Sequence, residues 1–162
     1  MDATEWMDAS QEDTQKGKYL TFSLGQEYYA IEIKYVTEII GLQPISEVPE
    51  LPDYIKGIIN LRGKIIPVMD VRLRFKKPSV GYNDRTCVIV IEISRISIGL
   101  IVDLVSEVME IPDSEIVPPP EVNQTGNKYI MGIGKVNHEV KLLLDCEKLI
   151  NDKDIEQLEE SR

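Results

Sequence analysis

The side chains that most often perform catalysis or bind metals are few and scattered in this sequence. His138 is the one histidine, and it lies in a predicted hairpin turn. The two cysteines, Cys87 and Cys146, lie far apart and match no metal-binding spacing. We therefore predict no catalytic residue, no metal and no cofactor, and we keep a small barrel enzyme only as a minor alternative.

A charged pair is better suited to contact with another protein. Arg62 is expected at the tip of a hairpin, where it would present a charge on a rigid element. Glu38 is a conspicuous acid in a segment expected to pack beside that hairpin. If the two are neighbours, each would orient the other through a charge-assisted hydrogen bond. The alternative for Arg62 is a solvated turn residue, which composition alone favours.

Four apolar residues occupy matched positions in two similar segments of the chain. Val36 and Ile39 lie in the first segment, and Val105 and Val108 lie at the corresponding places in the second. Either these side chains belong to the core, or they line a groove between two copies of a repeated unit. The sequence leaves both interpretations open.

The stretch from Tyr54 to Arg72 is predicted to form a buried β-hairpin. Two apolar runs, 57–61 and 65–69, flank a turn that contains Gly63. Gly63 can adopt a positive φ without a Cβ clash, which suits a tight hairpin turn. Apolar residues on both faces of the runs indicate strands that are buried on both sides.

Two residues of the returning strand lead to sharper predictions. Pro67 has no N–H group to donate to a ladder, so we predict that it lies on an edge strand or at a bulge. Asp70 is a good N-cap, and we predict a short helical turn after it that ends before Pro78.

The hairpin unit recurs later in the chain, which indicates an internal duplication. Residues 129–133 repeat 54–58, with Gly132 in place of Gly57, and Asp145 takes the position of Asp70. The segment 105–109 likewise repeats 36–40, and a short insertion between the two matches reconciles their offsets. Identical glycine and aspartate positions support the duplication as well as the apolar pattern.

The formal net charge of −10 comes mostly from the two ends of the 162-residue chain. Residues 1–17 are predicted to be a disordered acidic tail, and residues 151–162 an acidic tail or frayed helix. The module between them, 18–150, is far less acidic and has no basic face, which argues against nucleic-acid binding. No apolar run is long enough for membrane insertion, and we recognise no signal peptide.

Roughly ten short strands separated by Gly, Asn and Pro turns predict an all-β architecture of small barrels. One such barrel would bury little apolar surface alone, so two copies in one chain gain stability by sharing a core. Their interface would form a groove, a favoured place for binding. The segment 36–40 fits a helical turn as well as a strand.

Residues 57–72 (Gly-Ile-Ile-Asn-Leu-Arg-Gly-Lys-Ile-Ile-Pro-Val-Met-Asp-Val-Arg) closely resemble the signature of CheW-type chemotaxis coupling proteins. Shorter segments follow the order and spacing of the same family: 22–25, 30–33, 36–39, 83–86, 132–134 and 143–145. The resemblance covers about residues 18 to 150, and we carry nothing over to the residues beyond Asn151.

The resemblance implies two intertwined five-stranded SH3-like barrels with short helical turns. It implies a bacterial chemotaxis adaptor without catalytic activity. Such adaptors couple the cytoplasmic signalling tips of methyl-accepting receptors to the regulatory domain of the histidine kinase CheA. The expected location is cytoplasmic, with recruitment to membrane receptor arrays. The alternative among interaction proteins is a CheW-like regulatory domain excised from a larger signalling protein.

The resemblance also implies where the partners bind. In the family, the receptor tip lies in the groove between the barrels. Carried over by position, the receptor site comprises Val36, Glu38, Ile39, Arg62, Val102, Val105 and Val108. Lys56 and Gly57 match positions tied to coupling or kinase contact, although a glycine there also has a structural reason to be present.

Overall fold

The computed structural model describes residues 15–120 and 128–150. Most of the predicted tail 1–17, the acidic segment 151–162 and most of a predicted polar loop at 123–128 lie outside the described residues. The described strands are β1 (Lys18–Leu24), β2 (Glu27–Glu32), β3 (Val36–Gly41), β4 (Ile55–Leu61), β5 (Lys64–Asp70), β6 (Cys87–Ile93), β7 (Ile96–Val102), β8 (Leu104–Glu110), β9 (Ile116–Val117), β10 (Ile130–Val136) and β11 (Glu139–Leu144).

Two short α-helices, α1 (Val71–Arg74) and α2 (Cys146–Ile150), follow β5 and β11, and 3-10 turns occupy Ile33–Tyr35 and Asp113–Glu115. Asp70 caps α1 as predicted, because its side chain accepts a hydrogen bond from the Leu73 N–H group. Among the described residues, no helix has the length and hydropathy needed to cross a bilayer.

The strands form two mixed sheets, and each sheet combines strands from both copies of the repeat. The first sheet has the order β8-β1-β2-β11-β10-β9, and the second has the order β3-β6-β7-β5-β4. The opening hairpin β1-β2 therefore pairs with strands of the second copy, and the hairpin β6-β7 pairs with strands of the first. The predicted all-β fold of two intertwined units is confirmed, with short helical turns as expected.

The pairing follows the duplication closely. β8 pairs with β1 as β3 pairs with β6, and β11 lies parallel to β2 as β5 lies parallel to β7. The first sheet has one strand more than the predicted five, because β9 adds a two-residue strand beside β10. In the second sheet a single bridge, Ser46 to Ile58, takes the place of that strand.

One central core joins the two sheets. Leu20 and Phe22 enter it from the first sheet, and Ile89 and Ile91 enter it from the second, all with at most 1% exposure. Burying each such side chain contributes roughly 1.5 to 3 kcal/mol. The shared core explains why two small units in one chain can be stable together.

Arg74 also connects the two copies. Its guanidinium lies over the ring of Tyr54 at 4.6 Å and over the ring of Tyr129 at 4.5 Å. The two tyrosines occupy equivalent positions in the duplication. One cation thus contacts both copies through cation–π interactions.

The prediction for Pro67 is wrong. Pro67 pairs with Ile58 in β5, an internal strand between β7 and β4, away from the irregularity at Ile55 and Gly57. Its missing N–H group is tolerated because the parallel ladder with β7 begins only at Val68. In the second copy Leu142 takes the place of Pro67. Leu142 has an N–H group, and it takes part in the parallel pairing of β11 with β2.

The cysteines differ in burial. Cys146 is buried, whereas Cys87 is only half-buried at the start of β6. Neither thiol is part of a disulfide in the described chain. Burial raises the pKa of the Cys146 thiol above its ordinary value, with nearby carboxylates adding to the effect, so this thiol is protonated and unreactive at neutral pH.

Candidate functional site

The matched apolar segments form the two edge strands β3 and β8. β3 lies at one end of the second sheet, and β8 lies at one end of the first. An edge strand has unpaired backbone groups along one side, so it is accessible to another molecule. The segment 36–40, which fitted helix and strand equally, is a strand.

A bulge determines which side chains of β3 share a face. Val36 pairs with Ile91 and Ile39 pairs with Ile89, with a register shift after Val36. Ile91 and Ile89 are two residues apart and point to the same face of β6. Val36 and Ile39 therefore share that face although they are three residues apart.

A similar bulge occurs where β8 pairs with β1. Val105 pairs with Phe22 and Val108 pairs with Leu20, again across a register shift. Phe22 and Leu20 share the face of β1 that is directed into the central core. Both edge strands thus turn an apolar pair toward the side where the two sheets meet.

The outer member of each pair is exposed, and the inner member is half-buried. Ile39 is 44% exposed and Val108 is 51% exposed. Val36 and Val105 pack against the central core from opposite sheets. We call Val36, Ile39, Val105 and Val108, together with Glu38 and Arg62, the edge surface.

Val102 does not belong to the edge surface. It is only 1% exposed and lies in the central core at the end of β7. A side chain enclosed on all sides cannot touch a partner directly, so the predicted place of Val102 stays a prediction of a position beside the receptor contact.

Arg62 and Glu38 contact each other. Arg62 Nη2 donates to both carboxylate oxygens of Glu38, at 2.6 and 2.7 Å. The turn that carries Arg62 is fixed by a hydrogen bond from the Gly63 N–H group to Asn60 Oδ1 at 2.8 Å. Arg62 therefore has Glu38 as an ordered partner, as expected if the two were neighbours.

The ion pair also shows how the second sheet curls. Glu38 lies on β3 and Arg62 follows β4, the two strands at opposite ends of the sheet order. Contact between them requires the ends of the sheet to approach each other. Their side chains remain 30% and 70% exposed, so the pair presents charge to solvent at one end of the edge surface.

The second copy has no equivalent of this ion pair. By the offsets of the duplication, Glu107 stands at the position of Glu38, but Asn137 stands at the position of Arg62. Asn137 keeps the positive φ of the turn without the cation. The charged end of the edge surface therefore belongs to the first copy.

Lys56 and Gly57 lie elsewhere, at the start of β4. Lys56 is half-buried, and Gly57 is buried with a φ of +146°. A Cβ atom on Gly57 would lie 2.1 Å from the Ser46 carbonyl oxygen. The close approach of these two backbones gives Gly57 the structural reason that the sequence suggested.

Asp103, which the sequence reasoning missed, lies between β7 and β8. Its carboxylate accepts from Arg72 Nε at 2.8 Å, from Arg72 Nη2, and from the Gly25 N–H group at 2.7 Å. Arg72 is the main cause that lowers the pKa of Asp103, although partial burial acts in the opposite direction. A single aspartate in a valine-rich region carried no signal in the sequence.

Asp103→Asn is expected to make stability less dependent on pH. The lowered pKa means that ionised Asp103 stabilises the fold above its unfolded pKa of about 4, and that this contribution is lost as pH falls further. The wild type should exceed the variant by about 1 to 3 kcal/mol at pH 7. Urea unfolding at pH 7 and at pH values from about 4 down to about 2 measures this difference, and a gap that does not narrow below about pH 4 would contradict the assignment.

The chemistry of the edge surface suits recognition of another protein. It combines apolar pairs from two strands with one rigid ion pair. Within the described ranges, no group of three His, Cys, Asp or Glu side chains is arranged to hold a metal ion.

Comparisons with known proteins agree with this picture. The CheW-like domain family matches residues 18–154. The chain is 37% identical to the chemotaxis protein CheW of Klebsiella aerogenes, over 85% of this chain and 84% of that protein. It is 33% identical to CheW of Bacillus subtilis, over 83% and 86% of the two chains.

A solved structure is similar as well. The scaffolding protein TtCheW from Thermoanaerobacter tengcongensis matches with a TM-score of 0.78 and 37% identity, covering 85% of this chain and 90% of that one. The family match, the sequence identity and the structural similarity lead to one conclusion. The chain belongs to the CheW-like domain family.

Proposed function

We propose that this protein is a chemotaxis adaptor that couples receptor signalling tips to the histidine kinase CheA by scaffolding, without catalysis. Its proposed place is the cytoplasm, where methyl-accepting receptors recruit it to membrane arrays. The observation that carries the proposal is the edge surface, on a chain whose named relatives are chemotaxis proteins.

The edge surface suits a receptor tip made of helices. Apolar pairs on β3 and β8 can bury one face of a helix, while the ion pair of Glu38 and Arg62 fixes its register. Exposed Ile39 and Val108 offer the first contact area. Val36, Val105 and the core beneath them provide a rigid support.

The kinase's regulatory domain is proposed to bind a different face. Lys56 and Gly57 lie at the start of β4, whereas Arg62 of the edge surface follows the end of the same strand. Two separate faces would allow one adaptor to hold receptor and kinase together. Bridging raises their effective concentration and lets the receptor conformation bias kinase activity.

The alternative of a regulatory domain from a larger signalling protein is less well supported. Several of the matching relatives are named chemotaxis protein CheW, and this chain covers 84% and 86% of the length of two of them. An unrelated barrel enzyme has no supporting observation in the described residues.

An NMR titration tests the proposal. The isotope-labelled protein is titrated first with a receptor signalling-tip fragment and then with the regulatory domain of CheA. Shifts should cluster at Val36, Glu38, Arg62 and Val105 with the tip, and at a separate set of residues with the kinase domain. Shifts with neither partner would refute the adaptor function, and one shared set of residues would refute the two-faced arrangement.

A further inference from the structure

The two strands of the edge surface each begin directly after a crossover between the sheets. β7 ends at Val102 in the second sheet, and β8 begins at Leu104 in the first, so Asp103 alone makes this crossover. The crossover from β2 to β3 uses the 3-10 turn Ile33–Tyr35 instead. The geometry of each crossover therefore decides where the apolar pair that follows it lies.

Asp103 is held from both sheets at once. The Gly25 N–H group, in the turn between β1 and β2, reaches it from the first sheet. Arg72, in the helix α1 that follows β5, reaches it from the side of the second sheet and also donates to the Pro78 carbonyl oxygen. The side chains of Arg72 and Asp103 are only 15% and 26% exposed, so solvent screens the pair weakly.

The duplication places opposite charges at the equivalent crossover. Lys34 stands at the position of Asp103, and Glu147 stands at the position of Arg72. These two residues have other partners: Lys34 lies 3.4 Å from Glu32, and Glu147 accepts a hydrogen bond from the Tyr35 hydroxyl group at 3.0 Å. One crossover is thus held by an ion pair, and the other is held by a hydrogen bond from its own tyrosine to the helix after β11.

We propose that Asp103 is a positioning residue for receptor-tip binding, which fixes β8 so that Val105 and Val108 face the partner in register with β3. This inference rests on the proposed function. Asp103 itself touches no partner, because its carboxylate is occupied by Arg72 and Gly25.

Asp103→Asn tests the inference in the full-length protein. The variant keeps an acceptor for the Gly25 N–H group but loses the charge that holds Arg72. We expect it to bind a receptor-tip fragment about tenfold more weakly, which corresponds to about 1.4 kcal/mol. We expect its affinity for the CheA regulatory domain to stay unchanged, because the kinase contact is proposed on another face.

The chain itself suggests a rescue variant and a control. The double variant Asp103→Lys, Arg72→Glu exchanges the two charges, so that they match Lys34 and Glu147 of the other copy. This double variant should recover part of the affinity for the receptor tip that Asp103→Asn loses. Glu27→Gln removes the ion pair of Glu27 with Lys77, at 2.9 Å, which lies outside both crossovers. This control should bind the tip as the wild type does.

Methyl NMR of the free proteins gives a readout that does not depend on any partner. The Val108 methyl groups, five residues from the substitution, should shift in Asp103→Asn and not in Glu27→Gln. Unchanged Val108 signals would overturn the inference, as would wild-type affinity in Asp103→Asn or an equal loss for tip and kinase. If the wild type binds no tip, the proposed function fails, and the Val108 signals alone then decide whether Asp103 positions β8.

Discussion

Arg62→Glu should severely weaken receptor-tip binding while the protein stays folded. The substitution places a second carboxylate beside Glu38, where the wild type has a guanidinium at 2.6 Å. It removes the pair that fixes the register of the bound helix and adds repulsion at the same end of the edge surface. We expect affinity to fall about a hundredfold, or about 2.7 kcal/mol, the size typical of an interface hot spot.

The fold should survive this change. The Arg62 side chain is 70% exposed, and exposed ion pairs contribute less than about 1 kcal/mol to stability. The turn itself depends on Gly63 and Asn60, which stay in place. Isothermal titration with a tip fragment and urea unfolding of the same samples separate the two effects.

The chain contains a matched control for this experiment. Arg95 occupies the β6–β7 hairpin turn, is exposed, and like Arg62 has a positive φ. Arg95→Glu makes the same change in charge at an equivalent kind of turn, away from Glu38. If Arg62→Glu bound the tip normally, or if Arg95→Glu lost binding equally, the edge surface would not be the receptor site.

Gly57→Ala should strongly reduce the stability of the fold. The added Cβ would lie 2.1 Å from the Ser46 carbonyl oxygen and 2.9 Å from Ile45 Cγ2. The φ of +146° at Gly57 belongs to a region that only glycine adopts readily. Relief of the clash would displace the two hydrogen bonds between Ser46 and Ile58, each at 2.9 Å.

These costs add to at least about 3 kcal/mol, because backbone strain contributes about 1 to 3 kcal/mol and the lost hydrogen bonds contribute more. Urea unfolding at neutral pH measures the loss. Gly132, the equivalent residue, is the natural comparison, since its added Cβ would first meet the side chain of Ile116 at 2.9 Å and its φ is not positive. We expect Gly132→Ala to cost less than half as much, and an equal cost at both sites would show that the Ser46 backbone is not the cause.

Gly57 can thus affect coupling without touching the kinase. A substitution there would move the Ser46 segment and the start of β4, which carries Lys56. A coupling defect in Gly57→Ala that scales with lost stability would indicate this indirect route. A defect in Lys56→Glu with unchanged stability would support direct contact.

Much of the fold was predictable because certain residue types favour particular backbone conformations, such as helix N-caps and tight turns. Asp70 and Asp145 cap helices that follow a strand, and each accepts an N–H group three residues later. Gly63 and Gly57 both have positive φ, where glycine avoids a Cβ clash. Helix capping is a local requirement, so the recurrence of its aspartate helped to reveal the duplication.

Apolar spacing was a weaker guide at the edge strands. Val36 and Ile39 are three residues apart, a spacing that suits one face of a helix. In the strand, the bulge after Val36 places Val36 and Ile39 on the same face although they are three residues apart. Bulges depend on the partner strand, so the sequence of β3 alone could not distinguish the two.

The sequence by itself determined the strand content, the turns, the helix caps and the duplication, because each depends on neighbouring residues. The family resemblance supplied all six residues of the edge surface. Only the tertiary structure decided that β1-β2 pairs with the second copy, that Val102 is enclosed, that Glu38 meets Arg62 and that Asp103 joins the sheets. Those contacts link residues distant in the chain, and periodicity reports which face of a strand is apolar but not which strand lies beside it.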